Sequence, residues 1–116
     1  MDLKKIVKVL AEKTKEDGDE YAIIICKEDG KFIPIGPIKG EHGTVSVPRR
    51  SRLEELCPRD MKPVGVIHTH RYTPELSLND ILYSVLEKMD VCACTVENGK
   101  LECRCSGKEL KKILGD

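Results

Sequence analysis

The stretch Pro63-Val-Gly-Val-Ile-His-Thr-His-Arg-Tyr-Thr-Pro-Glu-Leu-Ser-Leu-Asn-Asp-Ile-Leu82 carries two hydrophobic periods in succession. Val64 to His70 is a β-branched run introduced by a proline, which reads as a strand. A loop holding Pro74 follows. From Ser77 onward Leu78, Ile81, Leu82, Val85, Leu86 and Met89 recur at helical spacing, and Ser77 with Asp80 has the form of a capping box.

Working outward, residues 2 to 16 place Leu3, Ile6, Val7 and Leu10 on one helical face, with Asp2 positioned to cap. Asp17-Gly18-Asp19 ends that helix, and Tyr21 to Cys26 reads as a buried strand. Asp29-Gly30 turns the chain into a returning strand, Lys31 to Ile35. Thr44 to Val47 reads as a third short strand. Ser51, with Glu54 three residues on, opens a second helix. Beyond the quoted stretch, Val91 to Val96 and Leu101 to Cys105 form a hairpin about Asn98-Gly99, and a short helix capped by Ser106 with Glu109 follows. The order is helix, three strands, helix, strand, helix, two strands, helix. That predicts a mixed sheet with helices packed on it, of α/β or α+β type.

The 116 residues suit one domain, 1–116, with a core of ordinary size. One Phe, three Tyr and no Trp leave Ile, Val, Leu and Cys to build that core. Twenty basic and twenty acidic residues cancel, which argues against a general nucleic-acid surface. The 34% charged fraction describes a surface rich in ion pairs, as in thermophile proteins. No apolar run approaches the ~20 residues of a membrane span, and the N-terminal residues show no leader pattern. A cytoplasmic protein that binds neither membrane nor nucleic acid is the expectation.

His68 and His70 stand two apart on a strand, so both side chains leave the same face, roughly 7 Å apart. Asp80 lies in the first turn of the following helix, where the loop can fold it back beside the imidazoles. Two His and one Asp leave a fourth position of a tetrahedral zinc open, the catalytic arrangement. Each half has a plainer reading: an isolated His-x-His is common on strands, and Ser77 to Asp80 is a cap. A helix start that fixes Asp80 also fixes a ligand. His-Glu-x-x-His is absent, which excludes that class of zinc protease.

Gly65 to Asp80 resembles the signature of the JAMM (MPN+) metalloprotease family, which is His-x-His, a loop, then Ser-x-x-Asp, with a Glu on an upstream strand. The resemblance implies a cytidine-deaminase-like mixed sheet flanked by helices. It implies zinc held by His68, His70 and Asp80, with Ser77 stabilising the tetrahedral intermediate. The family's catalytic Glu falls on Glu20, ahead of the Tyr21–Cys26 run; Glu12 and Glu16 sit on the first helix and Glu28 at a hairpin tip. Arg71 stands where many members have Pro, and the interval from His70 to Asp80 is about one residue short. The implied activity is hydrolysis of isopeptide or peptide bonds at the tail of a ubiquitin-like modifier. Processing of a sulfur-carrier protein of the ubiquitin fold is the alternative enzyme reading. A non-catalytic MPN scaffold is the alternative outside enzymes. A dimer is left open.

Six Cys remain. If Asn98-Gly99 is the turn, Cys94 faces Cys103 and Cys92 faces Cys105 on the inward side of the hairpin, at non-hydrogen-bonded sites. Buried thiols are the plain reading, and cross-strand disulfides or a tetrathiolate zinc are the alternatives. Cys26 and Cys57 read as core thiols. His42 reads as a surface loop residue and Lys111-Lys112 as a solvated helix face.

Overall fold

A computed structural model describes residues 2–42 and 45–114. Among these residues four helices and five strands follow in the order α1 (Leu3–Asp17), β1 (Asp19–Glu28), β2 (Lys31–His42), α2 (Arg50–Leu56), β3 (Lys62–Thr69), α3 (Leu78–Glu87), β4 (Asp90–Glu97), β5 (Lys100–Cys105) and α4 (Glu109–Leu114). The strands form one mixed sheet ordered β2-β1-β3-β4-β5. Only β3 and β4 run parallel, with α3 as their crossover. Pro34 and Pro37 fall on β2, an edge strand, where a missing backbone donor costs least.

The sheet is covered on both faces. On one, Leu3 and Val7 of α1 and Leu110 and Leu114 of α4 meet Ile23, Ile25, Ile67, Cys92 and Cys94. On the other, Leu53 and Cys57 meet Ala22, Ile24, Cys26, Val66 and Met89. The first helix has the expected ends: the Asp2 side chain accepts from the Lys4 N–H, and Gly18 closes it at φ 85°.

Several local expectations are corrected. Thr44 lies outside the described residues, and Val45 to Val47 belong to no strand; β2 takes the pairing instead and runs on to His42. His42 is therefore the last residue of a strand, in register with Asp19. Ser51 does not cap α2. The helix begins after Arg49, and the Arg50 N–H donates to Oε1 of Glu87 at 2.6 Å. Nor does Ser106 cap α4: Oδ2 of Asp90 receives the N–H groups of Glu109 and Leu110. Ser106 accepts from the Val91 N–H. On α3 only Met89, just past its end, is buried among the apolar residues singled out; Leu78, Ile81, Leu82, Val85 and Leu86 are exposed.

All six cysteines are paired. Cys92–Cys105 and Cys94–Cys103 join β4 to β5 in the register read from the turn, so the alternative of disulfides replaces that of buried thiols. Cys26–Cys57 ties β1 to the end of α2, which corrects the reading of two core thiols. Closing a loop of that length contributes roughly 3–4 kcal/mol by restricting the unfolded chain. Cys26→Ser should lower the urea midpoint accordingly and should make the residual protein less sensitive to reductant. An unchanged midpoint would mean that the two sulfurs are not joined.

Candidate metal centre

Strand alternation sorts the end of β3 cleanly. Ile67 enters the α1-side core, and Thr69 on the same side pairs its hydroxyl with Thr14 of α1 at 2.6 Å. Thr69 Oγ1 also accepts from the Tyr21 N–H. Val66 belongs to the opposite core, so His68 and His70 project on that side. The His70 N–H donates to the Cys94 carbonyl at 2.8 Å, which keeps the residue in line beyond the strand's last pair. The two ring centroids lie 6.3 Å apart.

Asp80 arrives from α3. Ser77 is its N-cap: the Ser77 Oγ accepts from the Asp80 N–H, and Oδ2 of Asp80 accepts from the Ser77 N–H. This reciprocal pair fixes the carboxylate, which is only 4% exposed, against the imidazoles. The His68 Nδ1–H donates to Oδ1 of Asp80 at 2.8 Å, and His70 Nε2 lies 3.6 Å from Oδ2. Burial alone would raise the Asp80 pKa, but the hydrogen bonds from His68 and Ser77 overrule it and hold it at about 2. Asp80 is thus an anion at any physiological pH.

Glu20 comes from β1. Ala22 is paired with His68, so one further alternation along each strand brings Glu20 toward His70. Burial pushes the Glu20 carboxyl above its ordinary range, against the pull of the His70 and His68 imidazoles. Glu20, His68, His70, Ser77 and Asp80 all line one cleft of about 350 Å³.

A metal fits here on the placement of the donors. One donor atom from each of His68, His70 and Asp80 lies within 4.8 Å of the others. Among the described residues, His68 Nε2 is the one buried side-chain polar atom without a hydrogen-bond partner. That atom lies on the far side of the ring from Asp80, so the nitrogens that share a space with the carboxylate are His68 Nδ1, at 2.8 Å, and His70 Nε2, at 3.6 Å. His68, His70 and Asp80 form a group able to hold a metal ion. The chain matches no family model and no curated protein. The site therefore rests on its own geometry.

Val45, Val47, Asn79 and Tyr83 also line the cleft, and sequence reading missed their part in it. Tyr83 donates its hydroxyl to the Pro48 carbonyl at 2.7 Å and so pins the segment carrying the two valines to α3. Burial, with Glu87 adding, lifts the Tyr83 phenol to about 12, so it stays a donor. The available signal was spacing: Asp80, Tyr83 and Glu87 fall at i, i+3 and i+7 on one helical side.

Proposed function

We propose that this chain is a zinc-dependent peptidase of the JAMM type, cleaving isopeptide or peptide bonds at the tail of a ubiquitin-like protein. The observation that carries the reading is that donor atoms of His68, His70 and Asp80 lie within 4.8 Å of one another in a cleft that Glu20 and Ser77 also line. Two imidazoles and a carboxylate are a zinc donor set with room for a further ligand. Zinc held by His68, His70 and Asp80 would polarise the scissile carbonyl and acidify water.

The chain's own groups supply the rest. Glu20, its basicity raised by burial, accepts a proton from the attacking water and returns it to the departing amine. Ser77 Oγ already accepts from the Asp80 N–H, which leaves its own proton free to donate to an oxygen gathering charge in the cleft. Val45 and Val47 line the cleft, and residues 45–47 pair with no strand, which would leave a backbone edge there for a substrate. An extended tail ending in small residues suits that edge, since backbone pairing supplies affinity without requiring side-chain pockets. A sulfur-carrier protein with such a tail would be read in the same way.

The test is metal analysis together with cleavage of a ubiquitin-fold protein fused through its tail to a reporter. About one zinc per chain and chelator-sensitive cleavage are expected. Less than half an equivalent after chelator-free purification, with no cleavage after zinc is restored, would defeat the reading.

Ser77→Ala separates two roles of one hydroxyl. Loss of the cap should cost about 1 kcal/mol, and loss of the donor should slow turnover roughly tenfold to a thousandfold with zinc retained. Ser77→Asp should restore the cap and remain slow. Wild-type turnover in Ser77→Ala would leave the hydroxyl as a cap alone.

A further inference from the structure

Helix α3 is amphipathic in the inverse sense. Its inward side carries Asp80, Tyr83, Ser84 and Glu87. These bond respectively to His68 and Ser77, to the Pro48 carbonyl, to the Met89 carbonyl, and to the Arg50 N–H. Its outward side carries Leu78, Ile81, Leu82, Val85 and Leu86. Leu78, Val85 and Leu86 are 71%, 67% and 72% exposed, and Ile81 and Leu82 nearly half. At 100° per residue these five fill one contiguous arc, about 12 Å long. The other large apolar side chains exposed among the described residues, such as Val9 on α1 and Ile33 on β2, occur one to an element.

We propose that this outer face of α3 is covered by the same face of a second copy of the chain. Charge is the first argument. In a chain of 34% charged residues, the helix has only Asp80 and Glu87 as charged side chains, and both face inward, 4% and 14% exposed. A charged partner finds nothing here to pair with. A mate must present an equally uncharged apolar strip, and the chain itself carries one.

Symmetry is the second argument. The stripe is centred on Leu82, so a twofold axis near that residue sets Leu78 of each copy against Leu86 of the other. Such an isologous contact brings no like charges together.

Area is the third. The five side chains expose on the order of 500 Å² per copy, and two copies therefore reach about the 1,000 Å² at which specific interfaces begin. At that lower bound the contact is expected to be a reversible, concentration-dependent dimer. Asp80 and Tyr83, which line the cleft, lie on the opposite side of the helix from this contact.

The proposal is independent of the catalytic reading, and sedimentation equilibrium tests it without any substrate. Between about 1 and 500 μM the mass should rise from 13.0 kDa toward twice that value. Leu82→Glu and Val85→Glu should each hold the chain at the monomer mass with an unchanged far-UV circular dichroism spectrum. Val9→Glu, a control at an isolated exposed residue, should dimerise as the wild type does. Leu82→Cys adds a thiol at the axis and should give a covalent dimer on mild oxidation where Val9→Cys does not. This variant decides the matter if the Glu variants misfold. A wild type that stays monomeric throughout overturns the proposal. So does a dimer that both Glu variants still form, or that Leu82→Cys fails to trap.

Discussion

Glu20→Gln is expected to lower turnover by about 10²- to 10⁴-fold while leaving the metal in place. The amide has nearly the shape of the carboxylate, so the packing of β1 is kept. What it loses is the ability to take a proton. Burial has already raised the Glu20 carboxyl, which makes the ionised form a better base than an exposed glutamate. An acidic limb in the pH–rate profile should report this carboxyl, with burial raising its position and the charge of a bound metal lowering it, and the limb should vanish in the variant. Zinc content and turnover, measured on one preparation, separate the outcomes. Full activity would remove Glu20 from the chemistry, and loss of zinc would make it a ligand.

Removing a ligand should have the larger effect. His70→Ala is expected to reduce bound zinc to background and abolish cleavage, with the circular dichroism spectrum retained. The imidazole lies just beyond β3, outside both apolar layers. Asp80→Ala should also abolish both properties and in addition destabilise α3. It removes the acceptor for the Ser77 N–H and leaves the buried Nδ1–H of His68 unpaired. The latter alone costs roughly 1–3 kcal/mol. Asp80→Asn keeps an acceptor oxygen and should recover part of that stability without recovering zinc. Equal unfolding of the His68, His70 and Asp80 variants would instead make the metal a structural requirement.

What could be read in the sequence was local. The first helix, the turns at Asp29-Gly30 and Asn98-Gly99, and the Ser77 cap rest on residues within a few positions of each other. The pairing of Cys92 with Cys105 and of Cys94 with Cys103 follows from one turn by counting. The gathering of His68, His70, Ser77 and Asp80 is legible because one strand end, one loop and one helix start carry them all. The rest depended on distant partners. Nothing near Arg49 or Lys108 indicates that Glu87 and Asp90 will serve the starts of α2 and α4. Cys26 and Cys57 meet across 31 positions with no turn to count from. Val45 and Val47 alternate like a strand, but β2 has already filled the place beside β1. On α3, periodicity shows which residues share a side and not which side turns inward. The polar side does, because His68, Pro48 and Arg50 wait for it.

The three disulfides are distributed unevenly, and this sets the order in which the molecule can come apart. They stitch β4 to β5 and β1 to the end of α2, and none reaches α3. In a lone protomer that helix is held by hydrogen bonds on one side and water on the other, with Asp80 its only buried residue. Its amides should therefore exchange with solvent well before those of β1 and β3, by an opening confined to the helix. Ser77 and Asp80 leave with it. Heating would then silence the cleft while the stitched sheet is still intact, so inactivation precedes unfolding, and on cooling the scaffold is already there for α3 to return to.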